Sequence, residues 1–215
     1  MPRETTSVIS AADFLPSRRT LPALAKAAAH CEGCPLFARA TQTVFGDGPS
    51  DARIIMVGEQ PGDREDVEGK PFVGPAGLLL DRALADAKID RDTVYVTNAV
   101  KHFKWTPRGK RRLHAKPTAR EMNACRPWLE AELETIEPDF LICLGATAAQ
   151  SLLGRQFRIS KQHGAWVESD WAPWTMATYH PSALLRAPDE DARRQMYGDF
   201  VDDLRVVARK LNGAR

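Results

Sequence analysis

The stretch from Val57 to Gly77 constrains this chain more than any other. It reads Val-Gly-Glu-Gln-Pro-Gly-Asp, then an acidic run, then Gly-Lys-Pro-Phe-Val-Gly-Pro-Ala-Gly. The apolar run at 53–57 before it has the character of a buried strand, and residues 78–84 after it read as a helix. Five glycines and three prolines lie between the two, more than a plain connector needs. Gly58 and Gly62 admit backbone angles closed to other residues and let a ligand approach the main chain. Gly77 falls where a helix N-terminus presents unpaired N–H groups that favour anions. Glu59, Gln60 and Phe72 offer a base, an amide and a flat apolar surface, and Asp63 adds a second carboxylate. At the carboxyl end of a strand such a loop makes a substrate pocket. Read alone, its glycines could equally turn the corners of a long connector.

The rest of the chain supplies a sheet for this loop. Residues 93–97, 140–144 and 174–178 are further apolar runs of strand length, separated by helical patterns. Thr20 is placed to cap a first helix with Pro22 in its first turn. A second helix is expected over 77–88, and another over 147–153. Thr118-Ala-Arg-Glu121 fits a capping box, and Pro127 inside the helix that follows predicts a kink or a short first segment. Met196, Phe200, Leu204, Val207 and Leu211 stripe a final helix. Strand and helix alternating four times predict a three-layer α/β/α sandwich around a mainly parallel four-stranded sheet. At 215 residues the chain fits one domain, with residues 1–19 expected to be a loosely held arm. Glu59, Asn98, Gly145 and His180 each stand at a strand's end, and in a doubly wound sheet those ends converge on one crevice.

A net charge of +2 points to no partner, but the charges are unevenly placed. Eight Lys or Arg and no acids lie between Lys101 and Arg120, while five acids lie between Glu59 and Glu68. Residues 100–117 are expected to be a long basic loop. No apolar run is long enough to span a membrane and no signal-peptide core is visible, so a soluble, cytoplasmic monomer is expected. In that compartment the four cysteines are ligands or thiols rather than disulfides. Cys31 and Cys34 form a Cys-x-x-Cys pair followed by Pro35, whereas Cys125 and Cys143 stand alone. Structural zinc usually takes two such pairs, so an iron–sulfur cluster on all four fits better. Inside an apolar strand, Cys143 could instead be a small core residue.

Several motifs together carry a resemblance. Gly58-Glu-Gln-Pro-Gly62 with Gly69-Lys-Pro-Phe-Val-Gly74-Pro-Ala-Gly77 resembles the first motif of the family 4 uracil-DNA glycosylases. Asn98-Ala-Val-Lys101 resembles their second motif, and His180-Pro181-Ser182 their last. Two departures, Gln60 and the segment Lys110-Arg-Arg-Leu-His114, are similar to the UdgX subgroup, which becomes covalently joined to uracil-containing DNA. The resemblance implies the uracil-DNA glycosylase fold, a [4Fe–4S] cluster on Cys31, Cys34, Cys125 and Cys143, and uracil-containing DNA as substrate with free uracil as product. It also implies that Phe72 stacks on the flipped base, that Asn98 reads its edge and that His180 donates to its O2. Glu59, Gln60 and His114 would then carry the covalent step.

Lys110, Arg111, Arg112, Ser182 and Arg186 are the candidates for holding the DNA backbone. Leu184 and Leu185 could plug the gap left in the base stack or simply open a helix. Read without the resemblance, residues 108–116 are a solvated basic loop and His114 is incidental. The same features leave other classes open: a family 4 enzyme that turns over with water, a non-catalytic DNA-binding module, or an enzyme binding a small nucleotide. The last is weakened because no Gly-x-Gly-x-x-Gly follows the first strand and no P-loop lysine is present.

Overall fold

Five apolar segments assemble into one sheet in this computed structural model, which describes residues 9–213. Strands β1 (Ile54–Gly58), β2 (Val94–Asn98), β5 (Phe140–Leu144) and β7 (Trp174–Thr178) run parallel in the order β2-β1-β5-β7. A two-residue strand, β6 (Trp166–Val167), adds an antiparallel edge beside β7. The sheet therefore has five strands rather than the expected four, because two residues are too few to show a period.

Every residue of β1, β2 and β5 is buried, as a sheet covered on both faces requires. Side chains alternate between the two faces. Ile54 and Met56 join Phe140, Ile142 and Leu144 in one core. That core is covered by α3 (Pro75–Asp86), α7 (Pro181–Leu185) and α8 (Glu190–Gly213). Ile55, Val57, Leu141 and Cys143 join a second core beneath α4 (Ala119–Ile136) and α5 (Ala146–Leu153). The remaining short helices are α1 (Leu21–Ala28), α2 (Asp63–Glu68) and α6 (Ile159–Gln162).

Local expectations fared unevenly. The capping box of Thr118 and Glu121 is formed in both directions. The helix it opens continues unbroken through Pro127. Thr20 precedes α1, but its hydroxyl makes no capping bond. Helix α3 starts two residues earlier than expected because Pro75 occupies the first turn, a position that suits proline. The N–H of Gly77 is consequently spent on Gly74 O. Of the expected N-terminal arm, residues 1–8 lie outside the described residues. Residues 11–14 form a capped 3-10 turn that buries Ala11 against the α4 region.

The expected basic loop is instead a hairpin. Strands β3 (Trp105–Arg108) and β4 (Arg111–His114) pair antiparallel and, among the described residues, belong to no larger sheet.

Candidate active site

The carboxyl ends of β1, β2, β5 and β7 open into a cleft of about 980 Å³. Glu59, Gln60, Gly62, Asp63, Phe72, Asn98, His114, Gly145, His180, Ser182 and Arg186 all line it. The structure therefore gathers residues from four separate loops, as the strand ends suggested.

Two glycines make the inner wall possible. A Cβ on Gly58 would lie 2.3 Å from Asn98 Oδ1 and 2.9 Å from Phe72 Cζ. On Gly77 it would lie 1.6 Å from Phe72 O. Phe72 itself sits in the left-handed region with φ of 57°, a conformation that costs about 1–2 kcal/mol for a residue with a side chain. Backbone strain of this kind is tolerated where a side chain must be aimed. Here it aims the ring at the cleft, stacked near His180 with centroids 6.1 Å apart and planes inclined by 26°.

Asn98 is 3% exposed, and its side-chain amide makes no hydrogen bond among the described residues. Its amide atoms are not among the solvent-sealed, unpartnered polar atoms of the described residues, so they open onto the cleft that Asn98 lines. Its backbone is held from behind. Lys101 Nζ donates to Asn98 O at 2.8 Å and pairs with Glu132 Oε2 at 2.5 Å. Lys101 and Glu132 are both fully buried, and Glu132 also accepts from Tyr95 and Thr97.

At the far wall the Ser182 backbone N–H donates to His180 Nδ1 at 3.1 Å. A main-chain N–H can only donate, so Nδ1 carries the lone pair and Nε2 the proton. Burial pushes this imidazole down to about 4, and the nearby charges of Arg186 and His114 act in the same direction. His180 is thus a neutral N–H donor at neutral pH.

His114 closes the mouth of the cleft from the end of β4. Gln60 lies directly against it. Gln60 Oε1 accepts from Lys104 N at 3.0 Å, which orients the amide. Its Nε2 then lies 3.0 Å from Ala115 O and 2.8 Å from His114 Nε2. With the amide donating, His114 Nε2 holds a lone pair. Glu59 Oε1 is 3.5 Å from the same nitrogen. Burial lowers the basicity of His114 below its ordinary value; Glu59 opposes this and Arg186 reinforces it.

The basic run divides once folded. Lys110 and Arg111 are exposed at the hairpin tip. Lys101 is buried against Glu132, and Lys104 pairs with Glu121 at 2.8 Å. Arg112, expected to face DNA, instead pairs with Asp63 and Asp66, each at 2.6 Å. Asp63 lines the cleft but directs its carboxylate to that arginine.

Of the four cysteines, Cys31, Cys34 and Cys125 share one buried cluster with Trp128. Cys143 lies on β5 in the second core. Among the described residues no three or more His, Cys, Asp or Glu converge on a single-ion site. A four-iron cluster holds each ligand on a different iron, so its ligands do not meet at one point. Trp128, in the same cluster, has a buried Nε1 donor without a partner among the described residues, an unmet polar group that calls for an explanation.

Sequence reasoning passed over one residue beside this pocket, His102. It is 4% exposed and follows Lys101, whose N–H donates to Cys125 Sγ at 3.2 Å. Thr43 Oγ1 donates to Ala28 O and lies 2.8 Å from His102 Nε2. The hydroxyl has one proton, so Nε2–H donates to it and Nδ1 is left with the lone pair. A histidine directly after the Asn98 motif was the available signal.

Residues 45–205 match the Uracil DNA glycosylase superfamily. The type-4 uracil-DNA glycosylase of Thermotoga maritima is 39% identical over 171 residues, covering 79% of this chain and 85% of that protein. The type-4 uracil-DNA glycosylase of Archaeoglobus fulgidus is 38% identical over 177 residues, covering 79% and 84%. The type-5 enzyme of Pyrobaculum aerophilum is 32% identical over 158 residues, covering 64% of each chain. The cleft at the strand ends and these matches agree: the chain belongs to the uracil-DNA glycosylase superfamily.

Proposed function

We propose that this chain excises uracil from DNA and captures the resulting sugar on His114, in the manner of the UdgX subgroup its motifs resemble. The type-4 relatives support excision. The observation that carries capture is His114 Nε2, held by Gln60 at 2.8 Å over the mouth of the cleft.

A base inside a duplex is inaccessible, so the nucleotide swings out of the stack at a cost of a few kcal/mol. The uracil enters between Phe72 and the Asn98 amide, whose donor and acceptor match its edge and mismatch that of cytosine. The C1′–N1 bond breaks with its electron pair leaving on uracil. His180 Nε2–H donates to O2, where that charge gathers. The positive charge left on C1′ lies near Glu59.

The lone pair of His114 Nε2 then forms a bond to C1′, and the ring loses its Nδ1 proton to solvent. Glu59 faces the lone pair rather than a proton, so its part is electrostatic. As the amide turns from Nε2, its protons remain bonded to Ala115 O and Lys104 O. Positioning of this kind can lower a barrier by about 7–11 kcal/mol relative to a free reactant, so loosely held water loses the competition. Lys110, Arg111, Ser182 and Arg186 contact the DNA backbone.

Three buried cysteines, Cys31, Cys34 and Cys125, gathered in one cluster supply the thiol donors of a [4Fe–4S] site. We assign its fourth ligand to His102 rather than to Cys143: Cys143 belongs to the other core, and a ligating histidine usually donates its other N–H to a neighbour, as His102 does to Thr43. When bound, the cluster supplies a rigid tie between the N-terminal segment and α4, away from the cleft. Incubation with single-stranded uracil DNA, followed by denaturing electrophoresis, tests the whole reading. A protein band carrying DNA supports capture, abasic product without a shift supports turnover with water, and neither product overturns the assignment.

A further inference from the structure

We infer that Arg112 is a positioning residue for His114: its double pairing with Asp63 and Asp66 latches the β3–β4 hairpin to α2 so that the imidazole stays over the cleft. The inference rests on the capture reading. An isolated two-stranded hairpin is marginally stable in water, and among the described residues this one joins no larger sheet. Its position must come from side-chain anchors. Arg112 and His114 are two apart on β4 and so share a face.

From that face the guanidinium donates through Nε to Asp63 Oδ1 and through Nη1 to Asp66 Oδ2, each at 2.6 Å, and reaches Thr41 Oγ1 at 3.0 Å. Asp66 is fully buried and is held in turn by Thr41 N at 3.0 Å. A buried carboxylate fixed by a second loop is a rigid point of attachment. Trp105 anchors the opposite strand by donating to Arg39 O at 2.9 Å. A planar fork that bridges two carboxylates fixes orientation as well as distance, which an ammonium cannot do. The basic and acidic runs of the sequence therefore meet in the fold.

The test counts two products in one reaction, free abasic DNA and DNA joined to protein. Unfolded molecules make neither, so the ratio reports only on working enzyme. Arg112→Ala should lower the ratio of adduct to free abasic product by about ten- to a hundredfold, since a misplacement of about 1 Å can cost that much. Arg112→Lys should restore it only in part, and Asp66→Asn should lower it in the same direction. An unchanged ratio in Arg112→Ala overturns the inference. So does loss of both products in Arg112→Ala and Arg112→Gln, which would assign the residue to folding or excision. Absence of adduct from the parent protein instead overturns the capture reading. The salt dependence of DNA binding gives an independent check: a phosphate contact would lower the slope by about one in Arg112→Ala, whereas a latch leaves it as in the parent.

Discussion

The N–H of Ser182 and the Nδ1 of His180, 3.1 Å apart, decide what His180 can do. The bond turns a histidine that could accept or donate into one with a single available donor, aimed at the cleft. Its geometry follows from the motif itself: His180 precedes α7 as its cap, and Pro181 occupies the first turn.

A pH dependence follows. With its value pushed down to about 4, His180 stays neutral far below the ordinary range near 6.5. Between those values the unfolded chain binds a proton that the folded chain does not, so stability should fall as pH drops from about 6.5 toward about 4. Single-turnover excision should show no inflection near pH 6.5. Nitrogen NMR of the imidazole checks the tautomer directly: the resonances at pH 7 should be those of neutral, Nε2-protonated His180. A doubly protonated ring at pH 7 would contradict the assignment.

Asn98→Ala should weaken transition-state recognition of uracil by about 1–3 kcal/mol for each partner removed. The measurement is the single-turnover rate of uracil release, with protein in excess but below saturation, against the parent. Equal values would remove Asn98 from the recognition of the base.

Glu132 is remote from the cleft surface, yet its loss should be felt widely. Glu132→Ala leaves Lys101 charged, buried and unpaired beneath Asn98, which should destabilise the fold by about 3–5 kcal/mol. Thermal or denaturant unfolding measures this. A loss under about 1 kcal/mol would mean that the pair is not closed in solution.

Iron content separates the candidate ligands. Cys31→Ser, Cys34→Ser and Cys125→Ser should each deplete iron in anaerobically prepared protein. Cys143→Ala should retain it, and His102→Ala should lose it. Full iron in His102→Ala together with depletion in Cys143→Ala would reverse that choice. Stoichiometric zinc in the parent would exclude the cluster.

Much of this architecture could be read from the sequence, and the exceptions have physical causes. Strand 140–144 is legible to the residue because continuous burial leaves a continuous apolar run. Glu59, Asn98 and His180 were placed together because strand ends converge in such a sheet. The hairpin of β3 and β4 escaped detection because Pro107 and three arginines hide its pairing. What holds it in place is contact between Arg112 and Asp66, 46 residues apart, and no local pattern records such a contact. The same blindness hid the pairing of Arg112 with Asp63 and Asp66, so that the sequence offered it only as a DNA contact. It also left Cys143 grouped with the other cysteines, although strand alternation turns it toward a different core.

The central claim is that His114 is the nucleophile, and the most direct measurement is mass spectrometry of the digested complex with uracil DNA. The DNA remnant should lie on the peptide containing His114. In parallel, His114→Ser should release uracil and leave abasic DNA without any joined protein. A remnant on another residue, or undiminished adduct in His114→Ser, would contradict the account.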